Sequence, residues 1–265
     1  MSAHEPLVSL RGGRLAYGSR VVWTGLDFTV GAGEFVAVLG PNGCGKTSLL
    51  RVLLGLTPLA AGELTVLGRP AARGNRAIGY IPQQRAVDTS PVRARDLVRL
   101  GVDGDRWGPG SPRAARAPQI DALLAQVGAT AYADVPIGLL SGGEQQRVRV
   151  AQALAGDPRL LLCDEPLVAL DLGHQQAVTD LIDARRREHG TGVLFVTHEI
   201  NPVLPLVDRV LYLAPGGFRL GPPDEVLTSE SLTELYGTQI DVVRVRGRIL
   251  IVGATGVDHH HLGTP

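Results

Sequence analysis

Hydrophobic and polar positions alternate in short segments over the first third of the chain. The segments LVSLRGGRLAYG, RVVWTGLDFTVGAGEFVAVLG and GELTVLGRP follow a period of two and contain glycine or proline where turns are expected. This pattern is typical of β-strands. Within it, EFVAVLG indicates a short buried strand, and the TSLLRVLLGL stretch that follows has the length and apolar spacing of a helix.

Strand and helix patterns alternate again in the last part of the chain. PRLLLCDEP, GVLFVTHE and VDRVLYLAPGG have apolar runs of strand length, and HQQAVTDLIDARRREHG has a helical pattern between the first two. This order is typical of a mostly parallel sheet covered by helices. The expected fold class is therefore α/β.

The middle of the chain, residues 85–138, is richer in proline, glycine and arginine. It contains two helical candidates, VRARDLVRLG and PQIDALLAQVG, and an expected loop, WGPGSPRAARAP. We therefore expect a helical subdomain of residues 85–156 inserted into a core of residues 1–84 and 157–240. Residues 241–265 are expected to form a strand-like segment and a tail with histidines.

Composition argues against several classes of protein. The 265 residues carry 26 acidic and 26 basic side chains, and this net charge of zero gives no sign of a nucleic-acid partner. No apolar run approaches the roughly 18 residues of a membrane span, and the first residues lack the apolar core of a signal peptide. Cys44 and Cys163 are poorly placed for a disulfide framework or a zinc site. We expect a soluble protein of the cytosol with both thiols reduced.

The segment VLGPNGCGKTSLL carries a phosphate-binding motif. Its spacing matches G-x-x-x-x-G-K-[ST] between a predicted strand and a predicted helix. The glycines allow consecutive backbone N–H groups to converge on phosphate oxygens at a helix N-terminus. The motif predicts binding of a nucleoside triphosphate, and the residues assigned to it are Gly40, Pro41, Asn42, Gly43, Cys44, Gly45, Lys46, Thr47 and Ser48. The alternative is a glycine-rich turn that binds no ligand.

Lys46 is the only lysine among the 26 lysine and arginine residues. Its compact ammonium on a flexible stem supplies a charge that a planar guanidinium would not reproduce. Thr47 is placed to ligate Mg²⁺ through its hydroxyl.

Two adjacent carboxylates end the strand pattern RLLLCDEP. Asp164 is a candidate for holding the Mg²⁺ water shell, and Glu165 for polarising an attacking water. Simple solvation of both carboxylates at a strand end is the alternative.

Three further signals lie next to or after the insertion. Residues 141–143, Ser-Gly-Gly, begin a long helical pattern and indicate either a second anion site or an N-cap alone. His198 ends the strand pattern LFVTHE, where it would contact a γ-phosphate or serve only a structural role. Gln83 in GYIPQQ is a candidate too, with Gln84 as its rival.

Taken in this order, the motifs make the chain resemble the ATP-binding cassette ATPases, the nucleotide-binding subunits of membrane transporters. The likeness covers residues 7–227, and LSGGE is the stretch most specific to the family. It implies a P-loop NTPase core with an antiparallel β subdomain and an inserted helical subdomain. It also implies a homodimer or paired ATPase subunits that enclose ATP between the phosphate loop of one and the LSGG segment of the other.

The resemblance further implies roles for single residues, with ATP and Mg²⁺ as cofactors. Tyr17 would stack on adenine, with core packing as its alternative, while Glu165 would be the general base and His198 the switch histidine. The residues implied for Mg²⁺ are Thr47, Gln83 and Asp164, and Gln83 would also sense the transmembrane partner. The residues implied to contact ATP across the dimer are Ser141, Gly142, Gly143, Glu144 and Asp171.

Two positions depart from the family pattern. Glu144 replaces the commoner glutamine after LSGG, which leaves the backbone anion site but adds a negative charge near the triphosphate. Val168 stands where a small hydroxyl residue is frequent, which removes a side-chain hydrogen bond across the dimer.

The implied partners are integral-membrane permease subunits, docked on the inserted helical region, and an extracytoplasmic substrate-binding protein. The chain would then lie peripherally on the cytoplasmic face of the cell membrane, with no nucleic acid partner. DTSPVRARDLVRLG, THEINPVLPLVDRVLYL and SLTELYGTQIDVVRVRGRILIVG are similar to subunits of zinc and manganese importers, which predicts import of a transition metal ion. The alternatives are an iron-chelate importer and a soluble ATPase of the same family that takes no part in transport. The tail DHHHLGTP, residues 258–265, is either a metal-binding segment or a polar tail.

Overall fold

The computed structural model describes residues 5–83, 90–103, 113–168 and 170–253. The strands in these ranges are β1 (Val8–Tyr17), β2 (Arg20–Val30), β3 (Phe35–Leu39), β4 (Ala61–Val66), β5 (Arg69–Pro70), β6 (Ile78–Ile81), β7 (Leu160–Asp164), β8 (Gly192–Val196), β9 (Arg209–Ala214), β10 (Gly217–Gly221), β11 (Ile240–Val245) and β12 (Arg248–Gly253). The helices are α1 (Lys46–Leu53), α2 (Ala94–Asp103), α3 (Arg113–Gln126), α4 (Gly142–Leu154), α5 (Leu172–His189), α6 (Pro223–Val226) and α7 (Ser229–Tyr236).

A six-stranded sheet, in the order β10-β9-β3-β8-β7-β6, forms the centre of the fold. Its strands run parallel except β10, which is antiparallel to β9. Every residue of β3, β7 and β8 is buried, as expected for strands covered on both faces. Strands that are buried on both faces need apolar side chains at every position, which explains the continuous apolar runs in the sequence. The carboxyl ends of these strands lie at one edge of the sheet, where ligands of open α/β sheets bind.

Alternate residues of β3 enter two different hydrophobic cores. Val36 and Val38 face a core built from α1 and the four-stranded antiparallel sheet β2-β1-β4-β5. Phe35, Ala37 and Leu39 face the other core, which includes residues of α2, α3, α4 and α5. This arrangement confirms the expected fold class, a mostly parallel α/β core with an antiparallel β subdomain and a helical insertion.

Helices α2, α3 and α4 occupy the chain between β6 and β7. The expectation that WGPGSPRAARAP is a loop is wrong at its end, because α3 begins at Arg113 and contains Pro118. Alanine and arginine before the proline favour the helix, and Pro118 removes only one backbone donor near its first turns. No helix in the described ranges is long and apolar enough to cross a membrane.

Candidate nucleotide-binding site

The loop between β3 and α1 is built around glycines in left-handed or related conformations. The φ angles are 140° at Gly40, 79° at Gly43 and 97° at Gly45. A side chain would not fit at the first or last of these. A Cβ on Gly40 would lie 2.0 Å from the carbonyl oxygen of Leu213, and one on Gly45 would lie 2.4 Å from Cγ1 of Val22. These glycines are therefore required both by backbone conformation and by the close approach of neighbouring strands.

Lys46 begins α1 and is buried by the loop. Its Nζ donates hydrogen bonds to the carbonyl oxygens of Gly40 at 2.6 Å and Pro41 at 3.0 Å. Burial lowers the pKa of this ammonium, while Cys44 and the carboxylates of Glu165 and Asp164 act in the opposite direction. The loop thus holds the ammonium inside the cradle, where a bound phosphate would meet it.

Asp164, the last residue of β7, is almost fully buried and faces α1. Its carboxylate accepts hydrogen bonds from the Thr47 hydroxyl at 3.2 Å and the Tyr80 hydroxyl at 3.4 Å. A hydroxyl beside a carboxylate supplies the oxygen ligands that Mg²⁺ prefers, so these side chains fit the predicted magnesium site.

Glu165 lies just beyond β7 in a left-handed conformation with φ of 51°. Its backbone N–H donates to the carbonyl oxygen of Val196, the last residue of β8, at 3.0 Å. One carboxylate oxygen accepts a hydrogen bond from Nε2 of Gln83, and the other pairs with Nε2 of His198. The structure therefore brings together three of the side chains that the sequence singled out.

A cavity of about 610 Å³ lies between the loop and the Glu165 carboxylate. Its lining comprises Tyr17, Arg20, Val22, Asn42, Gly43, Gly45, Lys46, Thr47, Ser48, Gln83, Glu165 and His198. Tyr17 is 50% exposed, which contradicts the core-packing alternative, and its hydroxyl donates to Oγ of Ser48 at 3.3 Å. Sequence reasoning missed Arg20 and Val22, which reach the cavity because β2 turns back beside Tyr17.

Ser141 caps the N-terminus of α4, and Gly142 and Gly143 form its first turn. Glu144 completes a capping box, because its Oε2 accepts hydrogen bonds from the backbone N–H and the hydroxyl of Ser141, both at 2.8 Å. These contacts lower the pKa of the Glu144 carboxyl. The negative charge of Glu144 is therefore bound at the start of α4. Ser141 and Glu144 are not among the described residues that line the cavity.

Asp171 caps α5 in the same manner. Its carboxylate accepts hydrogen bonds from the backbone N–H of His174 at 2.9 Å and pairs with Nδ1 of that residue at 2.5 Å. A Cβ on Gly143 would lie 3.4 Å from Cδ2 of Leu170 and 3.9 Å from Nδ1 of His174. The N-termini of α4 and α5 are thus neighbours and present the five residues predicted for contact across a dimer on one part of the surface.

Gln146 on α4 is a further residue that the sequence pattern did not reveal. Its buried amide donates to the carbonyl oxygen of Pro166 at 2.9 Å, one residue after Glu165. The helix with the LSGG start is thereby attached to the segment that carries the catalytic candidate. Gln84, the rival of Gln83, lies outside the described residues, as do the tail histidines.

A model of the family described as ABC transporter matches residues 23–168. The chain belongs to this family. As an ABC transporter ATPase it binds ATP, and ATP hydrolysis is the activity of its class. The resemblance to this family that was inferred from the LSGGE stretch and the phosphate loop is thereby confirmed.

Similar curated proteins are ATP-binding subunits of metal transport systems. The zinc import ATP-binding protein ZnuC of Magnetococcus marinus is 36% identical over 84% of this chain and 79% of its own length. The zinc transport system ATP-binding protein TroB of Treponema pallidum is 37% identical over 85% of each chain. The manganese transport system ATP-binding protein MntB of Bacillus subtilis is 32% identical over 87% of this chain and 92% of its own.

Solved structures agree with this family. A chain of an ABC transporter assigned to the metal-chelate type, in an inward-facing conformation, matches with a TM-score of 0.79 and 27% identity. The match covers 95% of this chain and 98% of the other. The chain cbiO1 of Clostridium perfringens shows the same fold at a TM-score of 0.72 and 21% identity, over 86% of this chain and 93% of its own.

Proposed function

We propose that this ABC ATPase hydrolyses ATP with Mg²⁺ to drive import of a transition metal ion, zinc or manganese, through a membrane permease. The observation that carries the proposal is that Lys46, Thr47 and Glu165 line one cavity, in a chain whose relatives are zinc and manganese ATP-binding subunits. Asp164 lies directly behind this lining, hydrogen-bonded to the Thr47 hydroxyl. The chain would lie peripherally on the cytoplasmic face of the cell membrane. An extracytoplasmic binding protein would deliver the metal to the permease.

Glu165 is the proposed general base. Its carboxylate already accepts hydrogen bonds from Gln83 and His198, which fix its orientation toward the cavity. A carboxylate held in this way can orient and deprotonate a water that attacks a γ-phosphate. His198 would then contact the γ-phosphate with the same ring that positions Glu165.

The remaining cavity residues would bind the nucleotide. Lys46 would stabilise the negative charge of the β- and γ-phosphates, and the backbone N–H groups from Gly43 onward would surround them. Thr47, Gln83 and Asp164 would hold Mg²⁺, which when bound neutralises phosphate charge. Tyr17 offers an exposed ring for the adenine.

A second copy would complete the site. The helix starts at Ser141 and Asp171 carry backbone N–H groups and positive ends of helix dipoles, which favour the phosphates of ATP bound to the partner. The dimer would close when it binds ATP and open after hydrolysis. The helical region would transmit this motion to the permease subunits. This coupling is a population shift driven by contacts made only in the closed state.

An iron-chelate importer is the second candidate, because the solved metal-chelate type transporter matches nearly the whole chain. A soluble family member without a transport role is the third. A strain that lacks this chain, grown with chelators and individual metals, separates the three. Restoration of zinc or manganese uptake by the wild-type chain, and not by Glu165→Gln, is the expected result. Restoration of ferric-chelate uptake alone would favour the second candidate, and normal uptake of every metal in the deletion strain would favour the third.

A further inference from the structure

Strands β11 and β12 form a separate two-stranded sheet after the ATPase core. One face of this hairpin carries four apolar side chains that are about half exposed. They are Val243 at 45%, Val245 at 47%, Leu250 at 51% and Val252 at 53%. The register pairs Val243 with Leu250 and places the other two diagonally beside them, so the four form one continuous patch. We call this patch the outer face.

The opposite face holds the hairpin on the core. Ile240 and Ile249 are buried there. The Asn201 amide pairs with both backbone groups of Ile249, at 2.8 Å to its N–H and 3.0 Å to its carbonyl oxygen. The backbone N–H of Val242 donates to Oγ of Ser229 at 2.8 Å. The outer face is therefore presented in a fixed orientation.

The same hydrogen bonds restrict how another sheet can approach. They occupy backbone groups along the free edges of β12 and β11, where a further strand would otherwise pair. Strand addition at these edges is thus obstructed. Stacking on the outer face remains open, at the roughly 10 Å separation of packed sheets.

The charges at the two ends of the outer face differ in sign. Asp241 lies opposite Val252 at one end, and Arg248 lies opposite Val245 at the other, about 13 Å away by strand rise. Both side chains are exposed. If two such faces stack with their strands antiparallel, each acidic end meets a basic end, whereas parallel stacking would bring like charges together. The face is therefore complementary to a second copy of itself.

The charge distribution also argues against an anionic membrane as the partner. Arg244 points to the inner side of the hairpin and pairs with Asp224 at 2.9 Å. The strand residues of the outer face are then one acidic and one basic residue, and the exposed Arg246 in the turn adds a second basic side chain next to Arg248. Two arginines are fewer than the about four to eight basic residues of a typical lipid-binding cluster. Polybasic clusters, in contrast, are what attract proteins to anionic lipid surfaces.

We infer that two copies of this chain contact each other through the outer faces of their β11–β12 hairpins, around a two-fold axis that sets Asp241 of each beside Arg248 of the other. Four half-exposed side chains offer roughly 300 Å², against about 800 Å² per partner in a standard interface. The contact is therefore weak by itself. It does not require nucleotide, because none of the residues that form it lines the nucleotide cavity.

The single lysine of the chain gives a direct test. Arg248→Lys keeps the charge and introduces the only primary side-chain amine besides that of the buried Lys46. A zero-length carbodiimide reagent, applied to the full chain without nucleotide, should join the amine introduced at position 248 to the carboxylate of Asp241 in another copy. Because the cross-link is covalent, cross-linked dimer accumulates over time even if the contact itself is weak. The expected product is a dimer whose cross-linked peptides join the two hairpins, with a yield about tenfold lower in Arg248→Lys/Asp241→Asn.

Charge exchange supplies the second test. Asp241→Arg and Arg248→Asp should each lower self-association about tenfold, as measured by sedimentation at low salt without nucleotide. An equimolar mixture of the two variants should associate again, because both cross-pairs become attractive, and the double variant should recover as well. Absence of the hairpin-to-hairpin cross-link, or equal association of all variants, would overturn the inference. Binding of the wild-type chain to anionic vesicles that Val243→Glu abolishes, without a dimer, would assign the face to the membrane instead.

Discussion

Glu165 and His198 meet because they follow neighbouring parallel strands. Asp164, which ends β7, is in register with Val196, which ends β8, so the residues just beyond them lie at the same edge of the sheet. There the Nε2 atom of His198 binds the Glu165 carboxylate. The Glu165 carboxylate is thus held between His198 and Gln83 at the edge of the cavity.

Glu165→Gln should bind ATP with Mg²⁺ almost as tightly as wild type and hydrolyse it about 10²- to 10⁴-fold more slowly. Glutamine retains the shape and an oxygen that accepts from Gln83, but it cannot take a proton from water. Phosphate release and nucleotide titration measure the two quantities. Glu188→Gln, an exposed change on α5, is the matched control and should leave both unchanged. Hydrolysis at the wild-type rate by the Glu165 variant would remove this residue from the role of base.

Lys46→Arg should weaken ATP binding by about a hundredfold, or roughly 2.7 kcal/mol. The ammonium is buried between the carbonyl oxygens of Gly40 and Pro41, and a wider guanidinium does not fit this space. Arg51→Lys makes the reverse change on the exposed side of the same helix and should have little effect. Calorimetric titration gives both affinities. Tight ATP binding by the Lys46 variant would show that the cradle tolerates a planar cation.

Tyr17→Ala should weaken ATP binding by about 1 to 2 kcal/mol, whereas Tyr17→Phe and Tyr17→Trp should remain close to wild type. The phenylalanine variant removes the 3.3 Å hydrogen bond to Ser48 but keeps the ring. The comparison therefore separates stacking on adenine from positioning of the serine. Equal loss in the alanine and phenylalanine variants would assign the effect to the hydroxyl.

The structure brings together predicted residues of two kinds. Some are close to one another in the sequence, and others lie at the ends of neighbouring parallel strands. The phosphate loop is continuous in sequence, and Asp164 and His198 follow apolar runs that identify their strands. The position of Arg20 in the cavity was not predictable in this way, since it depends on how β2 pairs with β1. The start of α3 was not predicted because proline is usually found outside helices or at their first turn. Pro118 nevertheless lies inside α3, which begins five residues earlier at Arg113.

Glu144 shows a different limit of sequence reasoning. As a departure from the family pattern, it predicted an added negative charge near the triphosphate, with the backbone anion site intact. The structure shows its carboxylate hydrogen-bonded to Ser141, and the S-x-x-E spacing of a capping box was present in the sequence to indicate this. A local hydrogen bond thus gives a structural role to a residue that departs from the family pattern.

This cap predicts a pH-dependent contribution to stability. The hydrogen bonds from Ser141 lower the pKa of Glu144 below its ordinary 4.5, so its carboxylate stabilises the fold above 4.5 and loses that contribution as the pH falls through the lower folded value. Glutamine keeps a capping oxygen but does not titrate. Because the site is partly exposed, the wild type should be only about 0.5 kcal/mol more stable than Glu144→Gln at neutral pH, and the difference should narrow in acid. Urea unfolding curves measure it, and a difference that does not change with pH would contradict the assignment.

The last prediction concerns the second copy. In the Glu165→Gln variant, the closed dimer should accumulate when ATP is added, because ATP binds but is hydrolysed slowly. This variant should therefore be a dimer with ATP at concentrations where the nucleotide-free protein is monomeric. Ser141→Arg should abolish this dimer, because the bulky side chain would occupy the space of the partner's γ-phosphate while leaving the phosphate loop intact. The substitution also removes the N-cap of α4, which costs about 1 kcal/mol of stability. Ser141→Ala loses the same cap without filling the space, and it is therefore the matched control.

Light scattering with and without ATP distinguishes the outcomes. A dimer in the Ser141→Ala variant and a monomer in the Ser141→Arg variant, both with normal ATP binding, would place the start of α4 against the partner's nucleotide. If both variants lost the dimer equally, the cap itself would be what matters, since it holds the first turn of α4 in position beside Leu170 and His174. A dimer that persisted in the Ser141→Arg variant would exclude this surface from the ATP-dependent contact, because a guanidinium cannot be accommodated where a phosphate is bound against backbone N–H groups.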